Sequence, residues 1–197
     1  MTGPAPIAET ESRADTLRRL GGRSIVFIGL MGAGKTVIGR KVAQALSLPF
    51  VDTDHEIETA SRMSIPELFE HYGEPEFRAL EQRVVSRVMR EGPQVVSTGG
   101  GAFMNAETRA MIISEGLSVW LKADLDLLME RVAKRQNRPL LHAADPRGVM
   151  ARLMAERYPI YAQAHIMIET RDDRKETIAT EALQAIGQRL REEDEAR

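Results

Sequence analysis

The chain has 197 residues, 43% of them hydrophobic, which is enough for one α/β domain with a packed core and short for two. Its 27 basic and 29 acidic side chains leave a net charge of −2, excluding an overall field that would draw nucleic acid or an anionic membrane. With no cysteine there are neither disulfides nor thiolate metal sites, which suits a reducing cytoplasm; no run reaches the ~18 apolar residues of a membrane span.

Residues 1–22 carry Pro4, Pro6, Glu9, Glu11 and Asp15 and read as a flexible leader, too acidic for a transit peptide and without a signal-type apolar stretch. A single domain is expected over 23–190. The apolar run from Ser24 to Gly29 reads as a strand and leads directly into Gly29-Leu-Met-Gly32-Ala-Gly34-Lys35-Thr36, a complete G-x-x-x-x-G-K-[ST] loop. In such a loop successive backbone N–H groups converge on phosphates. Lys35 adds a point charge, and the Thr36 hydroxyl can hold Mg2+. From Lys35 to Leu46, the residues Val37, Ile38, Val42, Ala45 and Leu46 share one helical face, so the loop opens a helix whose N-terminus favours anions.

A second strand over 50–53 ends in Asp52-Thr-Asp54. If the strand persists, both carboxylates point the same way and can share a magnesium and acceptor region; the alternative is that one of them only caps the helix beginning near His55. Two carboxylates beside the acceptor disfavour a phosphorylated one. Ser64-Ile-Pro-Glu67 is a capping box opening a short helix that should stop near Gly73. Phe77, Leu80, Val84, Val85, Val88 and Met89 then recur at helical spacing up to Gly92-Pro93, which makes them core. Arg78 projects from the other face, with Glu81 at i+3 able to orient it.

The third strand, 94–98, runs into Gly99-Gly100-Gly101, where a ligand can approach the backbone closely; a plain turn is the alternative. Strands at 117–122 and 164–169 follow. Between them, Arg135-Gln-Asn-Arg138-Pro139 and the stretch on to Pro146 lack a clear period, which suits either a mobile lid over 135–146 carrying an arginine to a phosphate, or a solvated basic loop. Arg157 precedes Tyr158-Pro159, where a helix should end. The four histidines, His55, His71, His142 and His165, lack zinc-type spacing, and residues 191–197 form a charged helix end or tail. Alternating strand and helix periods predict a three-layer αβα fold around a parallel sheet, with ligands beyond the carboxyl ends of the strands.

Taken together, the Gly29–Thr36 loop, Asp52-x-Asp54, Gly73-Glu-x-x-Phe77-Arg78-x-x-Glu81, Gly99-Gly-Gly101, Arg138-Pro-Leu-Leu141 and Arg157-x-Pro-x-Tyr161 resemble the motifs of the shikimate kinases, in family order and from about Ser24 to Leu190. The resemblance implies a P-loop NTPase fold of the nucleoside-monophosphate-kinase type, with a five-stranded parallel sheet, a shikimate-binding region at about 54–82 and a mobile lid. It implies that Gly32, Ala33, Gly34, Lys35, Thr36 and Val37 bind ATP, with Arg138 from the lid and Arg174 from the loop after the last strand. Arg131, Lys134 and Arg135 are not separable as adenine contacts. By the same resemblance Asp54, Arg78 and Gly100 hold shikimate and Arg157 pairs with its carboxylate. Lys35 and Arg138 stabilise the transferring phosphoryl group, Thr36 ligates Mg2+ directly, and Asp52 reaches that ion only indirectly. Asp54 orients, or deprotonates, the 3-hydroxyl. The expected partners are ATP and shikimate, with neither nucleic acid nor membrane; a cytoplasmic monomer is expected. Two alternatives stand beside this reading, a related gluconate or nucleotide kinase and a non-catalytic sensor module of the same fold.

Overall fold

The computed structural model describes residues 12–134 and 144–196. Its centre is a parallel sheet of five strands, β1 (Ser24–Ile28), β2 (Phe50–Asp52), β3 (Val95–Ser97), β4 (Gly116–Lys122) and β5 (Ile166–Glu169), in the order β2-β3-β1-β4-β5. The register pairs Ile25 with both Val95 and Leu117, so β1 is the middle strand. Ile25, Val26, Phe27 and Ile28 are all at most 1% exposed, the burial expected of a parallel strand covered on both faces. Each contributes about 2 kcal/mol by leaving water.

Helices α1 (Arg13–Leu20), α2 (Lys35–Leu46), α3 (Thr53–Ser61), α4 (Ile65–Arg90), α5 (Ala106–Glu115), α6 (Leu125–Ala133), α7 (Pro146–Tyr161) and α8 (Lys175–Glu195) flank the sheet, giving the expected three-layer architecture. The helix expected from Lys35 to Leu46 is α2. The capping box is present at Ser64 and Glu67, and the expected stop falls where it should: Gly73 has φ 75° and ψ 175°, a break that only glycine adopts without strain, followed by Pro75. Beyond this break α4 resumes and buries Phe77, Glu81, Val84, Val85, Val88 and Met89.

Two expectations need correction. Residues 1–22 are not a flexible leader throughout, because Arg13–Leu20 form α1. Ser12 caps that helix, Thr16 and Leu20 are buried, Arg13 Nε donates to the Leu46 carbonyl at 3.0 Å, and Arg19 pairs with Asp194 at 3.0 Å. Of the two readings of the charged run at 191–197, the helix end holds: it belongs to α8 as far as Glu195, with Glu193 held by both Arg23 and Arg189. A helix was expected to end near Arg157, yet α7 continues through Pro159 to Tyr161. Proline here deletes one ladder bond, to Ala155, and the last turn is held by side-chain contacts described below.

The strand order explains the site. β2, β3 and β1 are consecutive in space, so the residues that follow them, separated along the chain, meet at one edge of the sheet.

Candidate active site

A cleft of about 720 Å3 lies beyond the carboxyl ends of the strands, lined at one end by Gly32, Gly34, Lys35 and Val37 and at the other by Asp54, Arg78, Gly99, Gly100, Gly101 and Arg157. It therefore gathers most of the residues singled out in the sequence.

At the phosphate-loop end, α2 starts directly on the loop with Gly34 at its cap, so the N-terminal N–H groups face the cleft. Lys35 Nζ donates to the carbonyls of Gly29 at 2.8 Å and Leu30 at 3.0 Å, which keeps the ammonium within the loop. The Thr36 hydroxyl donates to Asp52 Oδ2 at 2.9 Å and lies 3.5 Å from Ser97 Oγ. A hydroxyl backed by a carboxylate is a hard oxygen donor set, and it fits a magnesium ion that takes its remaining ligands from phosphate and water. Ala33 is buried beneath the loop.

Asp52 and Asp54 do not sit on one persisting strand. β2 stops at Asp52, which caps α3: its Oδ1 accepts the Asp54 N–H at 3.2 Å. Asp52 thus combines both readings of the pair, as helix cap and as partner of Thr36. Asp54 sits in the first turn of α3, where a Cβ placed on Gly99 would come within 2.6 Å of its Oδ1. The glycine run is therefore more than a turn. Thr53 Oγ1 accepts the Gly99 N–H at 3.2 Å and ties the run to the β2–α3 junction.

Arg78 Nη1 donates to Glu81 Oε2 at 2.7 Å, and its Nε and Nη2 donate to Glu74 Oε1 at 3.2 and 3.1 Å. Burial works against the charge on Arg78, but Glu81 and Glu74 outweigh it and raise the guanidinium above its ordinary value. Burial pushes the Glu81 carboxyl up, opposed by Arg78 and then Arg157. Arg157 Nη1 donates to the Gly100 carbonyl at 3.0 Å, and that oxygen also accepts the Tyr161 hydroxyl. Arg78 and Arg157 consequently flank the same glycines, two guanidinium groups able to grip a carboxylate.

The remaining lining at this end is apolar, at residues within the 54–82 region to which no site role was assigned. Ile65, Phe69 and Phe77 form a wall, with the two phenylalanine rings 4.4 Å apart. Their helical spacing had the signature of core, and Phe69 differs from core only in standing at the cleft rim, 37% exposed. Ser97 and Thr98, hidden in a strand pattern, line the floor. On the phosphate-loop side, Arg131, Lys134, Asp172, Asp173 and Lys175 line the cleft, whereas Arg174 is an exposed residue at the start of α8 that does not. Arg131 bridges two loops, donating to the Gly32 carbonyl at 3.3 Å and the Arg171 carbonyl at 2.8 Å. Burial lowers it from its ordinary value, and burial, then the charge on Arg131, lowers Lys175. Arg138 lies outside the described residues, as does most of the segment read as a lid.

A phosphate loop at the end of the middle strand, facing an acceptor region built on the neighbouring strand ends, defines the chain as a P-loop kinase of small molecules. A family model described as shikimate kinase matches residues 31–187. The chain is 69% identical over 176 residues to a shikimate kinase of Mesorhizobium japonicum, covering 89% of this chain and 87% of that one. It is 56% identical over 197 residues to one of Brucella canis, covering 100% and 98%. Among solved structures, shikimate kinase from Acinetobacter baumannii in complex with shikimate superposes with a TM-score of 0.81 at 35% identity, covering 87% of this chain and 96% of that chain. The chain belongs to the shikimate kinase family.

Proposed function

We infer that this cleft transfers the γ-phosphoryl group of ATP to the 3-hydroxyl of shikimate, giving shikimate 3-phosphate and ADP on the route to chorismate and the aromatic amino acids. The observation that carries the reading is that one cleft holds a phosphate cradle at one end and two arginines around a glycine run at the other. Family membership supplies the substrate pair.

In this reading the α2 N-terminus, the Gly32–Val37 backbone and Lys35 bind the ATP phosphates, and Arg131 and Lys175 take the nucleotide side in preference to Arg174. Mg2+ held through Thr36 would neutralise phosphate charge, with Asp52 orienting the hydroxyl that holds it. Arg78 and Arg157 grip the shikimate carboxylate, which fixes the ring so that a hydroxyl faces Asp54. Glu81 keeps Arg78 pointed at the glycine run. Asp54 orients the acceptor hydroxyl and takes its proton as the phosphoryl group moves; because such transfers depend mainly on positioning and electrostatics, a weak carboxylate base suffices. Arg138 stays in the assignment as the arginine that meets the transferring group.

A near-neutral net charge supports action on small molecules rather than on nucleic acid or anionic membranes, the lack of cysteine suits a reducing cytoplasm, and no helix among the described residues is long and apolar enough to cross a membrane.

The test is ADP release with Mg2+ and ATP in the presence of shikimate, gluconate, AMP, CMP or no acceptor. Stimulation by shikimate alone is expected. Stimulation by gluconate or a nucleotide instead would reassign the acceptor, and silence with every acceptor from folded, nucleotide-binding protein would make the chain a sensor module.

A further inference from the structure

The last turn of α7 carries Arg157, and it lacks one of its backbone hydrogen bonds. Pro159 has no N–H, so the Ala155 carbonyl loses its ladder partner within that turn. Two phenols make up for it. Tyr161 donates to the Gly100 carbonyl beyond β3, and Tyr158 donates to the Ala123 carbonyl just beyond β4. Tyr161 stands four residues from Arg157 and on the same helix face, and both grip the same oxygen. Those two contacts meet at one oxygen, so by themselves they oppose translation of the helix more than roll. Tyr158 projects about 100° around the helix from Arg157, and its anchor on a different strand end stops that roll.

The ring of Tyr158 is fixed as firmly as its hydroxyl. It meets Trp120 edge-on with centroids 5.0 Å apart and an interplanar angle of 74°, and Trp120 lies 6.1 Å from Tyr161. Trp120 is 4% exposed, so the indole is a rigid wedge between the phenols. Tyr158 itself does not line the cleft.

We propose that Tyr158 is a positioning residue for substrate binding, which sets the roll of α7 through Ala123 and Trp120 so that the Arg157 guanidinium faces Gly100 and the acceptor carboxylate. This rests on the reading of Arg157 as a carboxylate clamp.

Tyr158→Phe keeps the ring on Trp120 and removes only the hydroxyl. It is expected to raise the shikimate KM about fivefold, the fold-change of one neutral hydrogen bond, with the ATP KM and kcat little changed. The same substitution in an Arg157→Ala background separates positioning from plain stability. If Tyr158 acts through Arg157, its effect on equilibrium shikimate binding shrinks there to less than about twofold, while any fall in the thermal midpoint is the same in both backgrounds. An unchanged shikimate KM in Tyr158→Phe overturns the proposal, as does an effect on binding that persists in full without Arg157. Arg157→Ala binding shikimate as well as the parent protein would overturn the clamp itself, and the proposal with it.

Discussion

Arg78 Nη1 and Glu81 Oε2 lie 2.7 Å apart, and the Glu81 side chain is only 4% exposed. The arginine proposed to bind substrate is thus aimed by a carboxylate that burial disfavours. Because the folded protein raises the Glu81 pKa above its ordinary 4.5, chiefly by burial, the native state holds that proton more tightly than the unfolded one. Its contribution to stability is complete below 4.5 and is lost as pH rises through the raised folded value. Glu81→Gln removes this titration. In urea unfolding across that range, the parent protein should lose stability relative to the variant as pH rises, while the variant, with Arg78 held less firmly, binds shikimate more weakly. Parallel pH profiles would show that Glu81 titrates in the fold as it does in the unfolded chain.

Gly101 offers a sharper test of where Arg78 must lie. A Cβ at this position would fall 2.2 Å from Arg78 Nη1, 2.7 Å from Cζ and 2.8 Å from Nη2. All three atoms are at the far end of a flexible side chain, so Gly101→Ala should displace the guanidinium without unfolding the protein. The expected result is a shikimate KM raised at least about tenfold, in keeping with loss of a charge-assisted bond, and a thermal midpoint close to the parent value. An unchanged KM would mean that Arg78 does not bind substrate from this position.

Much of this arrangement was legible in the sequence, for reasons that differ from residue to residue. The Gly29–Thr36 loop announces itself because few residues other than glycine allow the backbone to wrap a phosphate, and the capping box at Ser64 and the break at Gly73 are equally local signals. Arg78 and Glu81 could be paired from helical spacing alone. The β2–α3 junction was harder, since Asp-Thr-Asp suits a strand end and a helix cap alike, and only the fold shows Asp52 serving both α3 and Thr36. Phe69, Ser97 and Thr98 were hidden because cleft walls and core share one pattern of apolar or small residues. The α1 helix was missed because its buried face, Thr16 and Leu20, is too small to signal without Leu46 and Asp194 across from it.

Lys35→Ala tests the phosphate end. The ammonium sits on the Gly29 and Leu30 carbonyls within the loop, and its removal should cost about a hundred- to a thousandfold in kcat, the usual loss when one donor to a developing oxyanion is deleted. Circular dichroism and the thermal midpoint should stay near those of the parent protein. Retained turnover would remove Lys35 from the mechanism.

Asp52→Asn separates the two tasks of one side chain. Its amide oxygen can still accept the Asp54 N–H and cap α3, but its NH2 cannot accept the proton of Thr36 as Oδ2 does. Stability should therefore change little, while the Mg2+ concentration needed for half-maximal rate rises. A large loss of stability with unaltered Mg2+ dependence would make the cap the main role of Asp52.

His165 lies away from the cleft and gives the clearest acid-side prediction. Its Nδ1 accepts the Ser118 N–H at 3.1 Å and lies 2.8 Å from Ser118 Oγ, while Ser118 Oγ accepts the His165 N–H at 3.0 Å. The ring thus completes the start of the β4–β5 pairing as a neutral acceptor, and protonation at Nδ1 would remove that acceptor. Burial, then the charge on Arg189, lowers its pKa from the ordinary 6.5, with Arg23 adding to the effect and Glu193 opposing it. A depressed histidine binds fewer protons folded than unfolded, so its contribution to stability is present above 6.5 and is lost as pH falls through the folded value. His165→Asn keeps an acceptor oxygen for Ser118 but cannot titrate. Between about pH 7 and pH 5 the parent protein should lose more stability in urea unfolding than the variant does, from the histidine's share of proton uptake. Equal losses would mean that the ring takes up its proton as readily in the fold as in the unfolded chain, and that the Ser118 pairing does not depend on its charge.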